Sequence, residues 1–328
     1  MLVLSRAEVA ALLDLDALIE GLATTMTELS NGVASAPERN ASLVPDRDGF
    51  LAAMPGFVPS ANVLMTKLVS LFPHNAGTPL PTHQAVIVVF DPDTGAPTAL
   101  LDGTEITAIR TAACSALSAQ LLARPAASVL AILGTGVQAR SHARAMCRVR
   151  PIRQIRIAGR NLAKAQTLAT ELTDELDIEV VTVGTYPTAL DSADIACATT
   201  HALEPVIRRE WLSPGVHITS IGNNRAGREI DDATVITALV CVESRQAALA
   251  PFPAGSNDLR EPIRNGLITA AHVHAELGEL IAGTRPGRSS QEQITLYKSV
   301  GVAVQDATAT ALVLTAAHTL GLGTHIRL

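Results

Sequence analysis

The residues best suited to chemistry by type and spacing are Gly134-Thr135-Gly136-Val137-Gln138-Ala139, which follow an apolar run at 129–133 and precede a helix-like sequence. A dinucleotide asks for that order. A buried strand must end, turn tightly and start a helix whose unpaired N–H groups and positive dipole end face a pyrophosphate. Gly134 would make the turn and Gly136 would let the backbone approach the phosphates. Ala139 holds the third position of the fingerprint, where a small residue allows close helix-to-strand packing. The same six residues also serve as an ordinary strand-to-helix turn, so their setting decides the reading.

In such a unit, a carboxylate at the end of the second strand selects NAD by accepting hydrogen bonds from the ribose 2′-hydroxyl. Here that place reads Ala158-Gly159-Arg160-Asn161. With no carboxylate, and with the planar fork of Arg160 available to a 2′-phosphate, the sequence predicts NADP(H) in preference to NAD(H). The plainer reading makes Arg160 a solvated residue opening the next helix.

A second set of chemical groups lies earlier in the chain: Arg39, Lys67 and Arg110. Lys67 stands inside the strand-like run VLMTKLVSLF, where an unpaired ammonium is expensive to bury, so it needs an anion or an edge position. Taken singly, each cation reads as a surface ion-pair residue. If they converge, they bind an anion. His83, beside Gln84 on an apolar segment, reads either as a proton donor lining a cleft or as a structural, hydrogen-bonded histidine. The four cysteines are widely spaced, without C-x-x-C or a histidine at zinc spacing, and no metal site is expected.

Composition narrows the class. A chain of 328 residues with 48% hydrophobic content can fill the cores of two domains. The net charge of −6 comes without blocks of like charge, which argues against nucleic-acid and anionic-membrane partners. No stretch reaches the roughly 18 uncharged apolar residues of a membrane helix, and the first residues lack the charge pattern and cleavage site of a signal peptide. With its cysteines read as reduced, the protein is expected in the cytoplasm.

The elements that must hold these groups follow from periodicity. Ser5-Arg-Ala-Glu8 is a capping-box pattern, and a second helix starts near Asp16 and ends before Gly32. Segments 49–53, 62–71, 83–90 and 97–101 read as successive strands of an antiparallel sheet. A long Ala/Leu-rich helix follows, capped by Thr104 and stopped by Arg124-Pro125. From Ser128 the pattern alternates strand and helix, with strands at 129–133, 154–158, 179–183, 195–199, 217–221 and 239–242. The chain after Pro251 reads as mostly helical and ends in an apolar helix from 303 to 320. The expected fold is α/β: a Rossmann-type doubly wound parallel sheet in residues 121–302, and a smaller α+β substrate-binding and dimerisation domain in residues 1–120 completed by a C-terminal helix over residues 303–328.

These residues resemble the ornithine cyclodeaminase and mu-crystallin family. The likeness runs through AAMPGFV, MTKLVSLFP, LPTHQAVIVVFDPDTGAP, LLDGTEITAIRTAACSALSA, the GTGVQA loop, PGVHITSIGNN and LYKSVGVAVQD. The pairing of DG-x-x-I-T-x-x-R-T-A-A with G-x-G-x-Q-A is far more specific than either part. The resemblance implies a homodimer built through the first domain and a nicotinamide enzyme acting at the carbon–nitrogen bond of an amino or imino acid. Arg39, Lys67 and Arg110 match the family's substrate-carboxylate residues. Thr111, Thr199, Ser220, Ile221, Gly222, Ser299, Val300 and Gly301 match its nicotinamide side.

One departure bears on the chemistry. Cyclodeaminases of the family place an aspartate in the loop after the fifth strand, where IGNNRAGRE has Asn224. An amide can orient a group but cannot take its proton. Glu229 and Asp231, farther along, are the candidates to substitute. The expectation is therefore reduction of a cyclic ketimine such as pyrroline-2-carboxylate or piperideine-2-carboxylate, to proline or pipecolate, with Lys67 and Asn224 as catalytic residues. The alternatives are ornithine cyclodeaminase, an alanine-type dehydrogenase, an opine-type reductase and a non-catalytic NADP(H)-containing protein.

Overall fold

Ser5 starts the first helix by a reciprocal cap: its N–H donates to the Glu8 carboxylate at 2.8 Å while its hydroxyl accepts from the Glu8 N–H at 3.4 Å. The structure, a computed structural model, describes residues 1–327. It separates into two units, one made of Met1–Arg110 with Gly301 onward, the other of Thr111–Val300. The first begins with β1 (Leu2–Leu4), α1 (Arg6–Leu12) and α2 (Leu15–Ser30), the last capped by Asp14. An antiparallel meander follows: β2 (Asn40–Val44), β3 (Gly49–Val58), β4 (Val63–Leu71), β5 (His83–Phe90) and β6 (Pro97–Asp102). Along β4, Val63, Met65, Lys67 and Val69 are buried and the residues between them are half-exposed, the two-residue period of a strand with one covered face. Lys67 therefore shares the inward face with apolar neighbours.

α3 (Gly103–Leu122) opens differently from the expectation. The Asp102 carboxylate takes the Glu105 N–H at 2.7 Å, while the Thr104 hydroxyl takes the Ala85 N–H at 2.9 Å and ties the helix to β5. Thr104 is thus a sheet tether, and Asp102 is the cap. The division between the units falls inside α3, between Arg110 and Thr111, ahead of the expected boundary at 120.

In the second unit the chain alternates as β7 (Val129–Leu133), α4 (Val137–Val149), β8 (Gln154–Ala158), α5 (Leu162–Leu176), β9 (Glu179–Thr182), α6 (Tyr186–Leu190), β10 (Ile195–Ala198) and β11 (His217–Ser220). It continues through α7 (Asp232–Thr237), β12 (Leu239–Val242), α8 (Arg245–Leu249), α9 (Asn257–Arg264), β13 (Val273–Glu276), α10 (Leu277–Ile281) and β14 (Thr295–Lys298). The eight strands run parallel in the order β13-β12-β14-β11-β10-β7-β8-β9. Both faces are covered. Leu130 and Ile132 of β7 enter one core and Ala131 and Leu133 the other, which is why the strand reads as an unbroken apolar run. The strand order reverses at β7, so the crevice for a ligand opens where β7 and β10 end.

The expectation of a mostly helical chain after Pro251 is corrected here. β14 lies between β11 and β12 with all four residues buried, and β13 forms one edge. A lysine in Thr-Leu-Tyr-Lys hid a central strand. Lys298 is tolerated there because Asp258 of α9 meets its ammonium at 2.8 Å.

The chain then returns to the first unit in α11 (Ala303–Leu320), which packs on α2, β3 and β4. Gly321 ends it, and β15 (Thr324–His325) pairs antiparallel with β1, so the last residues are strand where helix was expected. The finished sheet is β15-β1-β6-β5-β4-β3-β2. Among the described residues, no helix is long and apolar enough to cross a membrane, and no His/Cys/Asp/Glu cluster could hold a metal.

Candidate active site

The glycine loop has the geometry its sequence requires. Gly134 sits at φ +125°, and a Cβ there would lie 2.6 Å from Thr199 Oγ1 and 2.7 Å from the Thr199 carbonyl oxygen. Only glycine lets β7 turn that close to the end of β10. Thr199 is pinned in return, its N–H and hydroxyl both donating to the Leu133 carbonyl at 2.9 Å. Gly136 is the N-cap of α4, with no side chain closing the helix and open space where a Cβ would stand. Ala139 is buried under the first turn, while Val137 and Gln138 line that turn. A helix of this length with an uncapped N-terminus and a glycine floor fits a pyrophosphate.

The β8 end lies against the same loop, because a Cβ on Gly159 would stand 2.6 Å from Thr135 Cγ2. Arg160 is exposed, and the Asn161 side chain caps α5 by accepting from the Lys164 N–H at 3.0 Å. A side chain that reaches out from this corner is positively charged.

The loops that leave β10 and β11 are fixed by Glu229, one of the two candidates to substitute for the missing aspartate. Glu229 is buried, and its carboxylate accepts from the Thr200 N–H (2.6 Å) and hydroxyl (2.7 Å), the Ser220 hydroxyl (2.7 Å) and the Gly222 N–H (2.8 Å). Four donors leave it no lone pair for a substrate. Asp231 is likewise committed, as the cap of α7. Neither replaces the missing aspartate. Asn224 holds its own turn: its side-chain oxygen accepts from the Ala226 N–H at 2.9 Å and its amide nitrogen reaches the His201 and Ala202 carbonyls at 3.4 Å. Ile221 donates its N–H to the Ala198 carbonyl. At the end of β14, the Ser299 hydroxyl and Val300 N–H donate to the buried Glu243 carboxylate at 2.5 Å and 3.3 Å. Thr111 is buried on α3 as the first residue of this unit.

Within the first unit, Lys67 and Arg110 come together around a carboxylate that sequence reasoning missed, and the Arg39 charge acts on Lys67 as well. Asp306, in the first turn of α11, accepts from Lys67 Nζ at 2.7 Å and from Arg110 Nε at 3.0 Å. The Arg110 fork also reaches Gln305 Oε1 at 2.8 Å. Arg39, just ahead of β2, donates to the Gly301 carbonyl at 2.7 Å. Gly301 belongs with this cluster: at φ +74°, a Cβ on it would stand 2.9 Å from both terminal nitrogens of Arg110. It was expected on the cofactor side, and in the first unit it lies beside Arg110 and Arg39. His83 is half-buried at the start of β5, four positions from the Ile87 that pairs with Lys67, or about 13 Å along the strand. It stands apart from the ring around Asp306.

Electrostatics sharpen the cluster. Burial pulls the Lys67 pKa from 10.5 down to about 7, and the Arg110 charge adds to the effect, with Asp306 opposing both. Burial by itself would raise the Asp306 pKa, but Arg110 and Lys67 together hold it below the ordinary aspartate value. Lys67 and Arg110 share one carboxylate, and the Arg39 charge also acts on Lys67, an arrangement that suits an anion.

Known proteins resemble this chain over most of its length. The model of the ornithine cyclodeaminase/mu-crystallin family matches residues 1–319. The ketimine reductase mu-crystallin of Mus musculus is 36% identical over 296 residues, covering 90% of this chain and 89% of that protein. A Delta(1)-pyrroline-2-carboxylate reductase of Bacillus cereus is 35% identical over 308 residues, 93% of each. Among solved structures, the Thermococcus litoralis Delta(1)-pyrroline-2-carboxylate reductase in complex with NADH and L-proline superposes with a TM-score of 0.96 at 38% identity, covering 99% of this chain and 100% of that one. An archaeal alanine dehydrogenase dimer with bound NAD gives a TM-score of 0.93 at 28% identity, with 100% and 99% covered.

Proposed function

The chain belongs to the ornithine cyclodeaminase/mu-crystallin family, and from that premise we propose that it is an NAD(P)H-dependent reductase of cyclic ketimine acids, converting pyrroline-2-carboxylate or piperideine-2-carboxylate to proline or pipecolate. The observation that carries this reading is the convergence of Lys67, Arg110 and Arg39 near one buried carboxylate, with an amide in place of a basic group at position 224.

Arg39 and Arg110 hold the substrate carboxylate, which fixes the plane of the C=N bond. When bound, the dinucleotide supplies the hydride that the imine carbon accepts. As the carbon–nitrogen π pair moves onto nitrogen, Lys67 Nζ gives that nitrogen a proton, and the product is the secondary amine. A lysine that titrates at about 7 can lose a proton to substrate and regain one from water at neutral pH. Nothing in this reaction asks for a base in the 221–225 loop, so the turn-forming role of Asn224 is compatible with turnover. In this reading Asn224 supports the loop and takes no proton.

Gly134, Thr135, Gly136, Val137, Gln138 and Ala139 form the pyrophosphate cradle, and Thr199, Ser220 to Gly222, Ser299 and Val300 line the nicotinamide end. Arg160, with no carboxylate beside it, favours NADP(H) through its 2′-phosphate. The relatives that hold NADH or NAD make NAD(H) the competing cofactor. A homodimer is supported by the outer face of the seven-stranded sheet, where Leu51 is 48% and Val86 42% exposed beside Leu64, Leu68, Val88 and Phe90.

The purified protein should oxidise NADPH faster than NADH, and only when pyrroline-2-carboxylate or piperideine-2-carboxylate is added. Release of ammonia and proline from L-ornithine with neither imine reduced would overturn the reductase reading. A bound cofactor with no turnover on any of the three would favour a ligand-binding role.

A further inference from the structure

Burial, Arg110 and Arg39 all disfavour the charge on Lys67. From β3 and β5 it faces Met54 and Ile87, from α3 it meets the Thr107 hydroxyl at 3.4 Å and the Arg110 guanidinium, and Arg39 adds a third cation. From α11 comes Asp306. Among these described groups, Asp306 alone is an anion. It is fully buried, so water does little to dilute its effect. Its two oxygens are divided, one to the Lys67 ammonium and one to Arg110 Nε, which fixes both cations from one point on one helix turn.

We propose that Asp306 is the positioning residue that makes Lys67 an acid: by bridging Lys67 Nζ and Arg110 Nε it keeps a proton on a buried amine and holds the carboxylate-binding arginine in register with it. The inference rests on the reading of Lys67 as proton donor to the imine nitrogen. The proton passes from Nζ to that nitrogen, and the amine left behind is the form its apolar and cationic surroundings favour. Asp306 remains ionised throughout, because Arg110 still pairs with it after Lys67 is neutral. It carries no proton itself and touches no reacting atom.

The chain has only three lysines, Lys67, Lys164 and Lys298. Protein labelled with ¹³C at the lysine ε-carbon therefore yields three signals, and the Lys67→Met variant identifies the one that matters. The Lys67 signal should titrate near 7 in the unaltered protein. In Asp306→Asn, which keeps the side-chain shape and removes the charge, the midpoint should fall by about 1–3 pH units. The alkaline limb of kcat for imine reduction should move the same way, with KM changed less, and Asp306→Glu should bring the midpoint back toward the original. A midpoint that does not fall in Asp306→Asn overturns the assignment, as does a limb that stays in place while kcat drops uniformly.

Should Asp306→Asn fail to fold, Arg110→Gln leaves the carboxylate to Lys67 alone and should raise the midpoint. No rise would contradict the proposal. The lysine titration needs no substrate, so it is read whether or not the protein reduces imines. Absence of imine turnover in the unaltered protein overturns the functional reading separately.

Discussion

Lys67 and Asp306 are 239 residues apart in sequence and 2.7 Å apart in the fold, and the chemistry of the site turns on that distance. A lysine that loses its proton at about 7 is protonated on the acid side of neutrality and neutral on the alkaline side. As an acid for imine reduction it must be charged, so kcat should fall as pH rises through about 7. Lys67→Met should lower kcat by about 10²-fold or more, the range of general acid catalysis, with a smaller change in KM. An unchanged kcat would remove Lys67 from the reaction. At the residue level the sequence singled out Lys67 because a lysine inside a strand demands an anion, and the family resemblance grouped Arg39 and Arg110 with it. The anion on the protein's own side was missed, since an aspartate at a helix start reads as an ordinary complement to the helix dipole until tertiary structure shows it buried.

At the scale of elements, the loops at the carboxyl ends of β10, β11 and β14 are tied together by buried charges. Glu229 joins the first two through Thr200, Ser220 and Gly222. Lys298 joins the third, donating to the Ser220 hydroxyl at 2.9 Å and the Gly222 carbonyl at 2.7 Å while paired with Asp258. Glu229→Gln places an NH₂ donor against a backbone N–H or a hydroxyl. It should cost about 1–3 kcal/mol of stability through that mismatch and weaken NADPH binding more than it changes kcat at saturation. Thermal unfolding and a fluorescence titration check both effects. Full retention of cofactor affinity would show that the loops do not depend on this clamp.

Elements were legible in the sequence where one signal dominated. The capping box at Ser5, the β7-turn-α4 run and the meander of the first unit each carried a local pattern that tertiary structure kept. β13 and β14 lay beyond the strand–helix alternation read from Ser128 to Val242, and a lysine ends the short apolar run of β14. β1 and β15 were missed as strands of three and two residues, whose mutual pairing joins the two ends of the chain.

On the scale of the whole molecule, a single chain carries a glycine-floored helix N-terminus in one unit and a cluster of cations around a buried aspartate in the other. The sequence already implied that combination through its family resemblance, and the structure adds why position 224 can be an amide. Its side chain builds a turn, and the nearby carboxylates Glu229 and Asp231 are occupied with structure. Reduction and cyclising deamination differ in electron count. Conversion of ornithine to proline and ammonia is redox-neutral overall, whereas imine reduction moves a hydride from cofactor to the α-carbon for good. The most direct measurement is therefore mass spectrometry of the amino acid formed from pyrroline-2-carboxylate with NADPH deuterated at the transferring carbon. One deuterium at Cα of proline per NADPH consumed is the result expected. Proline without deuterium, or ornithine converted while the cyclic imine is left untouched, would contradict the assignment of this protein as a ketimine reductase.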